Sequence, residues 1–189
     1  MNIFFLDHDP VKAAEALGHR HVIKMILESC QLMCTTLNLN GVENVPYKPT
    51  HANHPSRLWV GESACNYAWL LKHTRALMQE YFRRYNKSSH KCAPVLDFCE
   101  ERAPRVDESS FLTTPKLAMP DHLKVAHEGC VVHSYRRYFR LHKKSIVMES
   151  YNSKVPYEIP EWFLLDDKSF QKTSFDDREA ISCLLLSCG

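Results

Sequence analysis

His21, Lys24, Glu28 and Gln31 stand at i, i+3, i+7 and i+10. On a helix spanning 19–37 that spacing lines them along one face. An imidazole, an amine and a carboxylate within reach of one substrate can supply a nucleophile and move protons to and from it. Glu28, His21 and Lys24 are therefore the candidate catalytic set, with Gln31 a substrate contact. The same spacing also describes a solvated face with a Lys–Glu pair four apart, and both readings stay open at this point.

Two further stretches could serve a substrate. Tyr47-Lys-Pro-Thr-His51-Ala-Asn53-His54-Pro55 is dense in hydrogen-bonding groups and leads into a helix. A helix N-terminus presents unpaired N–H groups and favours anions, so His51, Asn53 and His54 are candidate substrate contacts; His54 or Asn53 could equally cap the helix. In that next helix Trp59, Glu62, Asn66 and Trp69 recur at three- and four-residue spacing. They read either as a polar floor under a stacked base or as ordinary core. Further on, residues 134–144 interleave Tyr and Phe with five Lys/Arg. Arg136, Arg137, Tyr138, Arg140 and Lys143 are the candidate nucleic-acid contacts, since cations neutralise phosphates and aromatic faces stack on bases. An amphipathic helix with snorkelling arginines gives the same pattern. A metal-dependent hydrolase built on His51, His54 and Glu28 or Glu62 rests on a single HxxH, a weak ligand signal. No metal and no cofactor is expected.

Three blocks carry a resemblance: His21-Val-Ile-Lys-Met-Ile-Leu-Glu28-Ser-Cys-Gln31-Leu, Tyr47 to Pro55, and Leu58-Trp-Val-Gly-Glu62-Ser-Ala-Cys-Asn66-Tyr-Ala-Trp69. Over about residues 1–144 the chain resembles a group of small phage and large-DNA-virus proteins labelled as pyrimidine-dimer DNA glycosylases. It is more distantly similar to the endonuclease V type, small all-α enzymes with a His and a catalytic Glu seven apart on an early helix, as His21 and Glu28 are. That resemblance implies DNA as partner and a damaged or modified pyrimidine as target. It also implies an N-terminal amine that attacks the sugar C1′ to form an imine, with the Glu assisting base release and strand cleavage. Asn2 stands where the family has a small residue, and Leu27 and Gln31 replace arginines beside its Glu. Lys24 offers an alternative amine one turn before Glu28. A nucleotide- or nucleoside-processing enzyme on the same fold, and a non-catalytic nucleic-acid-binding viral protein, are the alternatives.

The elements that must position these residues are helices. Asp9-Pro10 starts one over 10–17. Apolar Val22, Met25, Ile26, Met33 and Leu37 mark the next over 19–37. One long helix is expected over 56–85, then 93–102, a short one near 121–128, and 130–144. Strand alternation is visible only at 2–6 and 145–148, and a last short helix at 177–187. The expected architecture is all-α: a compact single-domain bundle over 1–144 with an irregular C-terminal extension, 145–189, packed on it. Composition agrees. The 189 residues are 44% hydrophobic and 24% charged, with net charge +2. This is an ordinary globular balance that excludes a general polyanion coat. No apolar run long enough for a membrane span occurs, and the first residues do not read as a signal peptide. The expected place is the cytoplasm or nucleus of a host cell, not secretion. There the eight cysteines, with no CxxC pair, read as mostly free packing residues.

Overall fold

The computed structural model describes residues 2–107, 110–124 and 131–172. Its helices are α1 (Pro10–Glu15), α2 (His19–Leu39), α3 (Pro55–Glu62), α4 (Ala64–Tyr85), α5 (Ala93–Glu101), α6 (Val131–His142), α7 (Lys144–Tyr151) and α8 (Glu161–Leu164), with a 3-10 turn at Asp121–Leu123. Among the described residues there is no strand, and the fold is all-α. Of the helix expected near 121–128, the described part forms the 3-10 turn Asp121–Leu123; residues 125–128 and the helix expected at 177–187 lie outside the described residues.

α2 and α4 form the centre, with α1 and α3 packed against α4 and α5 against both. The buried face of α2 carries Val22, Met25, Ile26, Leu32, Met33 and Leu37, the helical period visible in the sequence. Asp9 accepts from Val11 N at 2.8 Å and Pro10 opens α1, as its cap signal requires. Cys30, Cys34, Cys92 and Cys99 are buried free thiols where α2 meets α5. Cys34 Sγ lies 3.7 Å from Cys99 Sγ, so these cysteines pack rather than cross-link.

Three elements differ from the sequence expectation. The long helix is broken at Ser63, which is fully extended (φ −154°, ψ 150°) and caps α4 by accepting from Asn66 N. A serine side chain that satisfies an orphan N–H makes a restart cheaper than continuation. Residues 2–6 form no strand and turn at Phe5, where Leu6 N donates to Phe4 O at 2.9 Å; Ile3, Phe4, Phe5 and Leu6 all insert into the core. Residues 145–148 are helical, inside α7.

The N-terminus of α2 is pressed against α7. A Cβ at Gly18 would meet Ser150 Oγ at 2.8 Å. His19 N donates to that same hydroxyl at 2.8 Å. Glycine is needed here for close approach. The contact brings Ile146 and Lys143 to the side of α2 that carries His21 and Glu28.

Candidate active site

Glu28 is the centre of a cavity of about 390 Å³ lined by Asn2, Phe4, Arg20, His21, Lys24, Met25, Tyr138, Lys143 and Ile146 as well. α2 supplies one wall, the N-terminal segment the second, and the α6–α7 junction the third. Lys24 Nζ lies 3.3 Å from Glu28 Oε1; the lysine side chain is 67% exposed and the glutamate's only 12%. The backbone N–H of Asn2 donates to Glu28 Oε2 at 3.2 Å. Asn2 is itself fixed. Its Oδ1 accepts from Tyr135 OH at 3.0 Å and its Nδ2 donates to Ala118 O at 3.0 Å. The start of the chain is thus held against the carboxylate by α6 and by the loop at Ala118.

His21 is buried between Phe4 and Phe139, with ring centroids 4.9 and 5.2 Å away. Burial, then the charges of Lys143 and Lys24, pull its pKa down to about 4. It is a neutral imidazole at ordinary pH, and its Nδ1 is buried without a hydrogen-bond partner. Arg20 is held at the rim by Glu149 at 2.8 Å. Lys143 Nζ stands 5.2 Å over the Tyr138 ring. Lys24 and Lys143 line the cavity with Glu28, and Arg20, paired with Glu149, adds a third cation at the rim, a balance suited to an anionic substrate.

The 50–54 loop leans on the same helix further along. Thr50 N donates to Thr35 Oγ1 at 3.1 Å, and Thr35 Oγ1 donates to Gln31 O at 2.7 Å. His54 caps α3, its Nδ1 accepting from Ser56 N at 3.2 Å, which leaves the neutral ring's proton on Nε2. Its pKa is lowered by burial first and by His51 in addition, while Glu28 pulls the other way, so loop and carboxylate share one electrostatic field. His51 adopts φ 53°, and His51 and Asn53 are exposed.

Residues assigned from sequence thus separate into groups. Glu28, His21, Lys24, Tyr138 and Lys143 converge on the cavity; Gln31 lies further along α2, His51 and His54 lie in the loop that Thr50 fastens to that helix, and Asn53 is exposed on the same loop. Trp59, Asn66 and Trp69 do not present a stacking surface. They are 1%, 0% and 6% exposed. The indole N–H groups donate to Thr113 O and His8 O, and Asn66 bonds Trp59 O and Thr113. Glu62 pairs with Lys116 at 2.6 Å. These four form core and its edge, so the stacked-base floor is corrected to a structural cluster. Arg136 and Arg140 are also turned inward. Arg136 binds Leu6 O and Asp7, while Arg140 binds Trp162 O, Leu165 O and Asp167. Arg136 ties the N-terminal segment to α6 and Arg140 ties the chain after α7 to it, instead of presenting to nucleic acid. Arg137 is partly exposed. Asn2, Arg20 and Ile146 were not legible as site residues; only Arg20 carried a signal, its place one residue before His21 on the same helix. Among the described residues no group of three His, Cys, Asp or Glu side chains is arranged to hold a metal ion.

Residues 1–92 match the pyrimidine dimer DNA glycosylase family. The match covers α1 to α4 and the loop that follows, and so includes Glu28, His21, Lys24 and the 47–55 loop. The chain has a distant similarity to pyrimidine-dimer glycosylases. No curated protein and no solved structure matches it significantly. The wall made by Tyr138, Lys143 and Ile146 lies beyond the matched region. No described helix is long and apolar enough to cross a membrane.

Proposed function

We propose that the protein is a DNA N-glycosylase with an associated strand-cleaving lyase step, acting on a damaged or modified pyrimidine. The observation that carries this is the delivery of the Asn2 backbone nitrogen onto Glu28 inside a cationic cavity, within the stretch that matches the glycosylase family. In the proposed reaction an amine attacks C1′ of the target nucleotide. The C1′–N bond breaks, its electron pair leaves with the base, and the base is protonated. Loss of the amine proton and opening of the sugar give an imine; removal of a 2′ proton then expels the 3′ phosphate. Glu28 is placed to carry these protons. Two amines are candidates: the N-terminal α-amine that the family resemblance implies, and Lys24 Nζ, 3.3 Å from the Glu28 carboxylate. Neutral His21 is an uncharged hydrogen-bonding group for the sugar or base. Lys143, Arg20 and Lys24 attract the backbone phosphates.

Borohydride added to protein and UV-irradiated duplex should trap a covalent adduct. Peptide mapping of that adduct assigns the nitrogen to the N-terminal segment or to Lys24. Absence of both adduct and released base overturns the proposal.

A second reading keeps the cavity and changes the substrate to a nucleotide or nucleoside. It is favoured by the inward turn of Arg136 and Arg140, which removes two cations from any duplex contact. Turnover of free nucleotides without turnover of duplex decides for it. Full biological activity in Glu28→Gln decides instead for a non-catalytic binding protein.

A further inference from the structure

The exposed side of α2 carries two large aliphatic residues beside the cavity. Ile23 is 45% exposed and Leu27 42%. They stand four apart, so their side chains adjoin, and Leu27 is also one turn from Lys24. Ile23 directly precedes Lys24 and Leu27 directly precedes Glu28. Across the helix surface the order runs from this apolar pair, through Arg20 and Lys24, to Glu28 and His21 at the cavity. The buried face of α2 already has its apolar complement in Val22, Met25, Ile26, Leu32 and Met33, and Ile23 and Leu27 leave nearly half of their surface outside it.

A base inside a duplex cannot reach an enclosed carboxylate. Enzymes that act on a base extrude it, and proteins that open a base step commonly do so with an inserted Leu, Ile or Phe. Glu28, only 9% exposed, presents that problem if the substrate is duplex DNA. The neighbouring surface provides both needs: Arg20 and Lys24 to hold phosphates, and a branched apolar pair next to them to occupy the gap.

We infer that Ile23 and Leu27 form a wedge that enters the base stack beside the target nucleotide and holds it open while the reacting sugar sits at Glu28. This rests on the glycosylase reading and names the positioning residues it requires. The occupant of the apolar surface is a base step of DNA, chosen because cations flank the pair on the side toward the cavity. The two are positioning residues, since they act on the stack and not on the reacting bond.

The test uses a UV-irradiated thymine-containing duplex with 2-aminopurine beside the lesion, and three proteins: wild type, Glu28→Gln, and the double variant Ile23→Gln/Leu27→Gln. Glutamine is a good helix former, and unchanged circular dichroism and melting confirm folding. Wild type and Glu28→Gln should raise 2-aminopurine fluorescence on binding, reporting an opened stack. The double variant should bind with the same salt dependence, about tenfold more weakly, with no fluorescence rise and with slowed base release. A single-stranded substrate, which needs no opening, should restore its rate toward that of wild type. An undiminished fluorescence rise in the double variant overturns the wedge. So does conversion of a wild-type dimer to monomer by the double substitution, which makes the pair a subunit contact. If wild type binds duplex and releases base while the double variant behaves identically, the wedge fails and the glycosylase reading stands. If wild type neither binds duplex nor releases base, both fail.

Discussion

Glu28 on α2 and Glu80 on α4 are almost equally buried, 9% and 7% exposed, and their surroundings have opposite character. Glu80 is enclosed by two guanidinium groups. Arg83 donates at 2.9 and 2.8 Å and Arg84 at 2.6 Å. Arg84 also donates to Leu17 O and Glu15 O, so one network fastens α4 to the end of α1 and the turn after it. Glu28 faces a cavity instead. Its lysine partner is mostly in solvent, and its other oxygen receives a backbone N–H from the first residues of the chain. Paired burial of charge of the first kind specifies structure. A carboxylate at a cavity wall, beside an amine and a neutral imidazole, is the one to which the proposed function gives chemistry.

The largest effect that separates the two is on activity. Glu28→Gln keeps the shape and removes the proton carrier. Base release in single turnover should fall by roughly 10²–10⁴-fold, with little change in melting, because Gln keeps an acceptor oxygen for Asn2 N–H and an ion pair whose lysine is 67% exposed contributes under about 1 kcal/mol. Retained activity in this variant would make Glu28 a second structural carboxylate and erase the contrast.

For Glu80 the effect belongs on stability. Arg84→Ala leaves a buried carboxylate with one guanidinium and two carbonyls without their donors, and should cost about 3–5 kcal/mol in urea unfolding. Activity per folded molecule should persist. Burial alone would raise the Glu80 pKa; hydrogen bonds and charge from Arg83 and Arg84 outweigh it and hold the carboxyl below its usual value. A carboxyl depressed in the folded state stabilises above its unfolded pKa, and that stabilisation disappears as pH falls through the folded value. Arg84→Ala should accordingly flatten the acid limb of the stability curve below about pH 4.5.

The contrast was only half legible in the sequence. The all-α class, the apolar stripe of α2 and the His21–Lys24–Glu28 face follow from periodicity, which local backbone geometry enforces. Glu80, Arg83 and Arg84, at i, i+3 and i+4, share one helix face in the same way, yet nothing in such spacing tells a saturated network from an open site. The difference arises from what packs opposite: the α1–α2 turn against Glu80, and Asn2 and the α6–α7 junction against Glu28. Such partners are distant in the chain. Asn2 reaches Tyr135 and Ala118, more than a hundred residues away. For the same reason the spacing of Trp59 and Trp69 suits a pocket and a core equally; Phe5, stacked on Trp69 at 4.1 Å and 5.7 Å from the Trp59 ring, makes them core.

Asn66 extends the comparison to a polar residue without charge. Its Nδ2 and Oδ1 bind Trp59 O, Thr113 Oγ1 and Thr113 N at 2.7, 2.7 and 2.8 Å. These bonds join α3, α4 and the 111–117 segment. Asn66→Ala should lower stability by about 1–3 kcal/mol, the cost of buried partners left unmatched. KM for the DNA substrate should not change. A raised KM at unchanged melting temperature would return this residue to the substrate-binding group.

The smallest and most discriminating effect concerns histidine. His21, His73 and His133 all have pKa values of about 4, burial being the first cause in each case. Unfolding restores the ordinary value near 6.5. Between the two values the unfolded chain binds more protons, so the three together make stability greatest above about pH 6.5 and lower as pH falls toward about 4. His73 Nδ1 donates to Pro10 O at 2.9 Å within the core and its ring stacks on Trp69, and His133 is covered by Phe170. His21 alone of the three lines the cationic cavity. A phosphate held by Lys24 and Lys143 would offset the positive charge that depresses it. NMR titration of the histidine ring protons should therefore show His21 moving up by about one unit, equivalent to about 1.4 kcal/mol, when a short DNA duplex is bound, while His73 and His133 stay fixed. Equal movement of all three would mean a global change on binding. No movement of His21 would place the phosphates outside the cavity and leave Glu28 without its proposed substrate.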